Sequence, residues 1–208
     1  MTPGEFAPDK IAYIIADENE AITYGELEAG ANQAAHLFRS LGLQRGDHIA
    51  ILLENHRDFL KICWAAQRSG LYYTAISWRL QVEEVAYIVN NCEAKAFVTS
   101  QACIGVAKAL AGRCENVVHS FMLDGKAPGF ESWEEATAAH STSPIADQFE
   151  GASMLYSSGT TGYPKGIKHP LPEAAYGDGE PISMLGALYG GTQESIYLSP
   201  APLYHSAP

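Results

Sequence analysis

Ala152-Ser153-Met154-Leu155-Tyr156-Ser157-Ser158-Gly159-Thr160-Thr161-Gly162-Tyr163-Pro164-Lys165-Gly166 is the stretch on which the reading of this chain turns. Ala152 to Ser157 is a run of strand length. It then gives way to glycines, hydroxyls and a single lysine. Glycine lets successive backbone amides turn toward an anion without side-chain obstruction. Ser157, Ser158, Thr160 and Thr161 add hydroxyls that can donate to phosphate or face a metal ion. Lys165 adds a point charge. The stretch is not a Walker A loop, because Lys165 is followed by Gly166 rather than Ser or Thr. Nor is it a dinucleotide GxGxxG turn. The plainer alternative is an ordinary Gly/Thr turn after a strand.

Upstream, apolar runs of strand length alternate with helical periodicity. Residues 1–22 read as an irregular lead-in. Thr23 and Glu26 form a capping box, followed by Leu27, Ala31, Ala34, Leu37, Phe38 and Leu41 at helical spacing, with Gly42 as the stop. Strands are expected at 49–53, 71–76, 96–99 and 117–123. Helices are expected at 55–69, 83–90 and 102–111, and a second capping box at Ser132 and Glu135. The strand runs are continuous rather than alternating, as in strands covered on both faces. The fold class is therefore α/β, with a mostly parallel sheet and crossover helices. Residues 144–150 read as a linker. Beyond the glycine loop, a helix is expected at 182–189 and a short strand at 195–198. Trp64, Trp78 and Trp133 are read as packing residues.

Composition narrows the function classes. The chain has 208 residues, 47% hydrophobic and 18% charged, as in a globular protein. Asp and Glu number 24 against 13 Lys and Arg, for a formal charge of -11. No basic block appears, so a general nucleic-acid footprint is not expected. A small anion can still be held locally. Cys63, Cys92, Cys103 and Cys114 form no CxxC pair, which fits reduced, mostly buried thiols in a cytoplasmic protein better than a zinc site. No apolar run is long enough to span a bilayer.

The stretch Tyr156–Gly166 resembles the phosphate-binding signature of the adenylate-forming (AMP-binding) enzymes: acyl-CoA synthetases, luciferases and peptide-synthetase adenylation domains. The resemblance extends along most of the chain. Ile22-Thr23-Tyr24-Gly25-Glu26-Leu27 is similar to the family's opening helix start, and Gly46 to Asn55 to its next strand and turn. Gly70 to Leu80 matches a further stretch in position, although Thr74-Ala75-Ile76-Ser77 replaces the more usual Val-Pro-Leu-Asn type. Pro200-Ala201-Pro202-Leu203-Tyr204-His205 resembles the core motif that borders the acyl pocket. The overall pattern is most like bacterial fatty acyl-CoA synthetases (long-chain-fatty-acid–CoA ligases).

The resemblance implies a reaction and a set of roles. A carboxylate is activated as acyl-AMP, and coenzyme A then takes the acyl group. ATP, Mg2+ and coenzyme A are implied, with a fatty acid or other carboxylate as substrate. Lys165, Thr160 and His205 are implied in catalysis. Ser157, Ser158, Gly159, Thr160, Thr161, Gly162, Lys165 and Gly166 are implied in nucleotide binding, with Thr160 and Thr161 toward the metal. His169 does not match the family's histidine in position and receives no role. Residues 1–150 are expected to form a first α/β subdomain of the large N-terminal domain, and 151–208 the start of the central one. The family's adenine-binding motif, hinge and C-terminal domain have no counterpart here, so these residues alone are expected to be at best a weak phosphate binder. Two alternatives stand beside this reading: another adenylate-forming enzyme, for an aryl or amino acid, and a non-catalytic protein retaining half the fold. Homodimers and peripheral membrane contact occur in the resembling family, but no periodicity in the sequence points to either.

Overall fold

The computed structural model describes residues 2–157, 164–178, 190, 192 and 194–205. The elements run β1 (Ile11–Ile15), β2 (Glu20–Thr23), α1 (Tyr24–Ser40), β3 (His48–Leu52), α2 (Phe59–Arg68), β4 (Tyr72–Ile76), α3 (Val82–Asn91) and β5 (Ala94–Ser100). They continue with α4 (Ile104–Ala109), β6 (His119–Leu123), β7 (Glu131–Ser132), α5 (Trp133–Ala138), β8 (Ala152–Ser153), β9 (Leu155–Ser157) and β10 (Lys165–Ile167).

The central sheet has six strands in the order β7-β6-β5-β3-β4-β8. Every neighbouring pair is parallel. Parallel strands need crossovers, and the crossovers cover both faces. Ile49, Ile51, Ala96, Val98 and Phe121 pack toward α1, α2 and α5. Ala50, Leu52, Phe97 and Met122 pack toward α3 and α4. Strand β3 is buried at every residue. This is the mostly parallel α/β architecture expected from the pattern.

Helix α1 starts and stops as its sequence dictates. The Thr23 hydroxyl accepts from the Glu26 amide at 3.2 Å, and the Glu26 carboxylate accepts from the Thr23 amide at 2.8 Å. At the other end the Leu43 amide reaches back to the Phe38 carbonyl, and the Gly42 amide to that of Arg39. This is a Schellman closure, with Gly42 at φ +80° and the side chains of Leu43 and Phe38 buried in one cluster.

The structure departs from the sequence reading at several places. The lead-in is not irregular. Strands β1 and β2 form an antiparallel hairpin that buries Ile15 and Ile22 against Leu27. Its turn contains no glycine or proline; Asn19 takes the left-handed conformation instead, at φ 51°. Helix α2 begins at Phe59 rather than Asn55, because residues 55–58 form a turn with their side chains already engaged. The second capping box is only half made: Ser132 accepts from the Glu135 amide, but its hydroxyl donates to Glu134. Residues 195–198 form no strand. They have no ladder partner among the described residues, and a strand needs one to satisfy its amides. Trp78 does not pack in the core. It is 40% exposed, with the Arg79 guanidinium over its ring. Trp133, by contrast, is buried edge-on to Phe121. The helix expected at 182–189 lies outside the described residues.

Candidate active site

The expected strand at 152–157 is split in two. β8 adds to the edge of the central sheet beside β4, where the Ala152 amide donates to the Leu71 carbonyl and the Met154 amide to that of Tyr73. The chain reaches this edge through Gly151. A Cβ there would lie 2.5 Å from the Leu71 oxygen, so only glycine fits. After Met154 the chain leaves the sheet as β9 and returns antiparallel as β10.

Residues 158–164 connect the two strands, and of these Ser158, Gly159, Thr160, Thr161 and Gly162 lie outside the described residues. The base of the loop is described. Ser157 and Lys165 sit opposite each other in the register, as do Tyr156 and Gly166. Lys165 is exposed, and among the described residues its ammonium has no hydrogen-bond or ion-pair partner. Gly166 lies close under the side chains across from it: a Cβ there would lie 3.0 Å from Tyr156 Cζ and 2.5 Å from the Met154 methyl, which would have to shift. The Tyr156 hydroxyl donates to Asn91 Oδ1 at 2.6 Å, and burial raises its pKa. These contacts fix Tyr156 to the end of α3. An exposed cation opposite a hydroxyl, at the base of a glycine-rich stretch, is chemically suited to meet an anion.

His205 lies elsewhere. The Leu203 amide donates to Asn55 Oδ1 at 2.9 Å, and the Leu203 side chain packs on the α1/α2 side of the core. The His205 amide closes a turn onto the Pro202 carbonyl, and its exposed ring leans on Tyr204. This stretch therefore docks on the turn that follows β3. No hydrogen bond or ring contact joins His205 to Lys165.

The turn after β3 lies at a place of general importance. β3 leads through α2 to β4 on one side, while β5, its other neighbour, leads through α4 to β6. The crevice beyond the carboxyl ends of such diverging strands is where open α/β sheets bind ligands. Glu54, His56 and Asp124 gather there, their ligand-type atoms within 4.8 Å of one another. Glu54 accepts from the Ser100 hydroxyl at 2.6 Å, and the Cys103 thiol lies 3.8 Å away. The sequence did not reveal this trio, since nothing local links residue 124 to residue 54.

The trio does not fit a metal. His56 Nδ1 accepts from the Asp58 amide at 3.0 Å, so Nε2 carries the proton and donates to Asp124 Oδ2 at 3.1 Å. A metal-bound imidazole donates from its other nitrogen, and here that nitrogen accepts. The cluster is a strut between the ends of β3 and β6. Magnesium is therefore not assigned to it, and the metal contacts expected of Thr160 and Thr161 lie outside the described residues.

The sequence pattern of the family described as "AMP-binding enzyme" matches residues 4–208. The chain belongs to that family. It is 28% identical over 187 residues to a long-chain-fatty-acid–CoA ligase of Thermus thermophilus, covering 88% of this chain and 34% of that protein. It is 31% identical over 155 residues to a 3-methylmercaptopropionyl-CoA ligase of Ruegeria lacuscaerulensis, covering 69% and 29%. The structure superposes on the N-terminal domain of FACL13 from Mycobacterium tuberculosis with a TM-score of 0.69 and 25% identity, over 80% of this chain and 42% of that one. This chain thus spans about a third of the length of the curated relatives it matches. Among its described residues no helix is long and apolar enough to cross a membrane.

Proposed function

We propose that the polypeptide carrying this chain is an ATP-dependent acyl-CoA synthetase. A fatty acid carboxylate oxygen attacks the α-phosphorus of ATP, and the bond to the bridging oxygen breaks, releasing pyrophosphate. The coenzyme A thiol then loses its proton and attacks the acyl carbon, and AMP leaves. The observation that carries this reading is the glycine-rich stretch 156–166, whose described base is a hairpin that leaves Lys165 exposed and without a partner among the described residues.

Charge builds on the departing pyrophosphate, and fixed donors aimed at that charge lower the barrier. Lys165 supplies the cation, with Ser157, Ser158, Thr160, Thr161 and the amides of Gly159 and Gly162 as donors around the β- and γ-phosphates. Gly166 keeps the return strand close to Tyr156. Magnesium, when bound with ATP, would neutralise phosphate charge beside Thr160 and Thr161. His205 borders the acyl carboxylate. Residues from 151 onward open a second subdomain, which carries the loop. A fatty acid is the favoured substrate because the fatty-acid ligase relative matches along 88% of this chain. Another carboxylate is the second reading, since a relative named for a different acid matches at similar identity.

The test is acyl-adenylate formation, followed by mass spectrometry, with short, medium and long fatty acids and with aryl and amino acids. Both the 208-residue chain and its complete natural polypeptide should be assayed. A fatty acyl-AMP product that Lys165→Ala reduces about 100-fold or more supports the reading. An adenylate formed only with aryl or amino acids would replace the substrate assignment. Equal rates with and without Lys165 would overturn the role of the loop.

A further inference from the structure

Beyond Gly166, the return strand of the loop ends against the amino ends of β3 and β4. Lys168 Nζ lies 2.9 Å from His48 Nε2 and 4.5 Å from the centre of the Tyr72 ring. The His48 ring stacks on that same tyrosine, with centroids 4.6 Å apart and planes 22° from parallel. The Tyr72 hydroxyl donates to the His169 carbonyl at 2.6 Å. His48 and Tyr72 are 5% and 4% exposed, so the receiving surface is largely removed from water.

The proton inventory fixes the state of this contact. An ammonium only donates, so His48 Nε2 is the acceptor and the ring is neutral, with its proton on Nδ1. That Nδ1 is buried and has no hydrogen-bond partner among the described residues. An orphaned buried N–H is uncommon in a folded protein and calls for an explanation. Here the tautomer that strands Nδ1 is the one that frees Nε2 to hold Lys168. Desolvation, then the charge of Lys168, lower His48 to about 4, while Asp47 acts in the opposite sense. The Asp47 carboxylate is itself paired with Lys95 at 2.7 Å. A neutral acceptor holds the lysine without cancelling its charge, as a carboxylate would.

We infer that His48 and Tyr72 are positioning residues for the phosphate loop, which grip Lys168 and the His169 carbonyl and so hold β10 and Lys165 in place. Pairing with β9 fixes one side of β10, and this clamp fixes its far end. The inference rests on the reading of residues 156–166 as a phosphate loop. It predicts that the clamp acts on nucleotide binding through Lys165, not on the chemical step.

The experiment combines two readouts on the complete natural polypeptide: amide hydrogen exchange across residues 165–169, and ATP–pyrophosphate exchange kinetics. Lys168→Met keeps the chain length, and its exposed position spares the core. His48→Leu removes the acceptor, and His48→Gln supplies a neutral one. Lys168→Met and His48→Leu should each speed amide exchange and raise KM for ATP about tenfold, with kcat changed less than KM. His48→Gln should recover most of both effects. Faster amide exchange with an unchanged KM would overturn the inference, leaving Lys168 a structural contact. So would unchanged amide exchange in Lys168→Met. If the wild type shows no ATP–pyrophosphate exchange with any carboxylate, the functional reading fails, and amide exchange alone then decides whether the clamp holds β10.

Discussion

Strands β3 and β10 are both short, and they have opposite surroundings. β3 is buried at every position, paired on both edges and covered on both faces. β10 is exposed at every position and paired on one edge. The stretch 194–205 goes further, with Ile196 fully exposed and Leu198 at 77%. The difference separates scaffold from working parts. Burial against two helical layers gives the sheet its stability. The segments that carry the candidate chemistry are held by a few discrete contacts: Asn55 to the Leu203 amide, Tyr72 to the His169 carbonyl, and Arg45 to the Pro172 carbonyl. Functional segments drawn from the less buried end of a structure can respond to a ligand without disturbing the core.

Substitutions across the two regions test that contrast, and the largest effect belongs to the sheet. Phe121 is fully buried against Trp133. Phe121→Ala should cost about 3–5 kcal/mol in urea unfolding. A loss below about 1 kcal/mol would mean that the sheet is not the stable unit.

His48 stands at the junction of the two regions and gives the comparison a pH axis. Its folded pKa, about 4, lies below the ordinary value of 6.5. The unfolded chain therefore binds the proton first as pH falls. The stability contribution is complete above pH 6.5, declines toward pH 4 and is lost below it, with a slope of at most about 1.4 kcal/mol per pH unit. Subtracting the pH–stability curve of His48→Gln from that of the wild type should isolate this slope. Parallel curves would show that His48 titrates normally.

Gly151 joins sheet and hairpin. Gly151→Ala should cost about 1–3 kcal/mol, because the new Cβ meets backbone oxygens that cannot move cheaply. Thr23→Ala, which removes one half of the α1 capping box, should cost about 1 kcal/mol. At the far end of the scale, Ile196→Ser should change stability by less than about 0.5 kcal/mol, since the side chain touches solvent alone. Thermal or urea unfolding of this series places each residue on one side of the divide. A large effect at Ile196 would erase the distinction.

Features whose causes lie within a few residues are legible in the amino-acid sequence alone. The capping box at Thr23 and Glu26 and the glycine stop at Gly42 are local hydrogen-bond chemistry, and both formed as read. The strands of the parallel sheet were legible because burial on both faces forces continuous apolar runs. The glycine-rich stretch 156–166 stands out in the sequence because phosphate binding demands small residues and donors in close order, and its apex lies outside the described residues. The hairpin at 11–23 has no local signature, since its turn rests on one left-handed asparagine, and the expected strand at 195–198 has no ladder partner among the described residues. What only tertiary structure decided is which distant residues meet. Asp124 reaches His56 Nε2 through the strand order of the sheet, while Nδ1 is held locally by the Asp58 amide. Lys168 reaches His48 because β10 runs back along β9 toward the amino ends of β3 and β4. Neither meeting leaves a trace in sequence spacing. Each is fixed by the path of the backbone through the sheet, which depends on the packing of the whole core rather than on any local pattern.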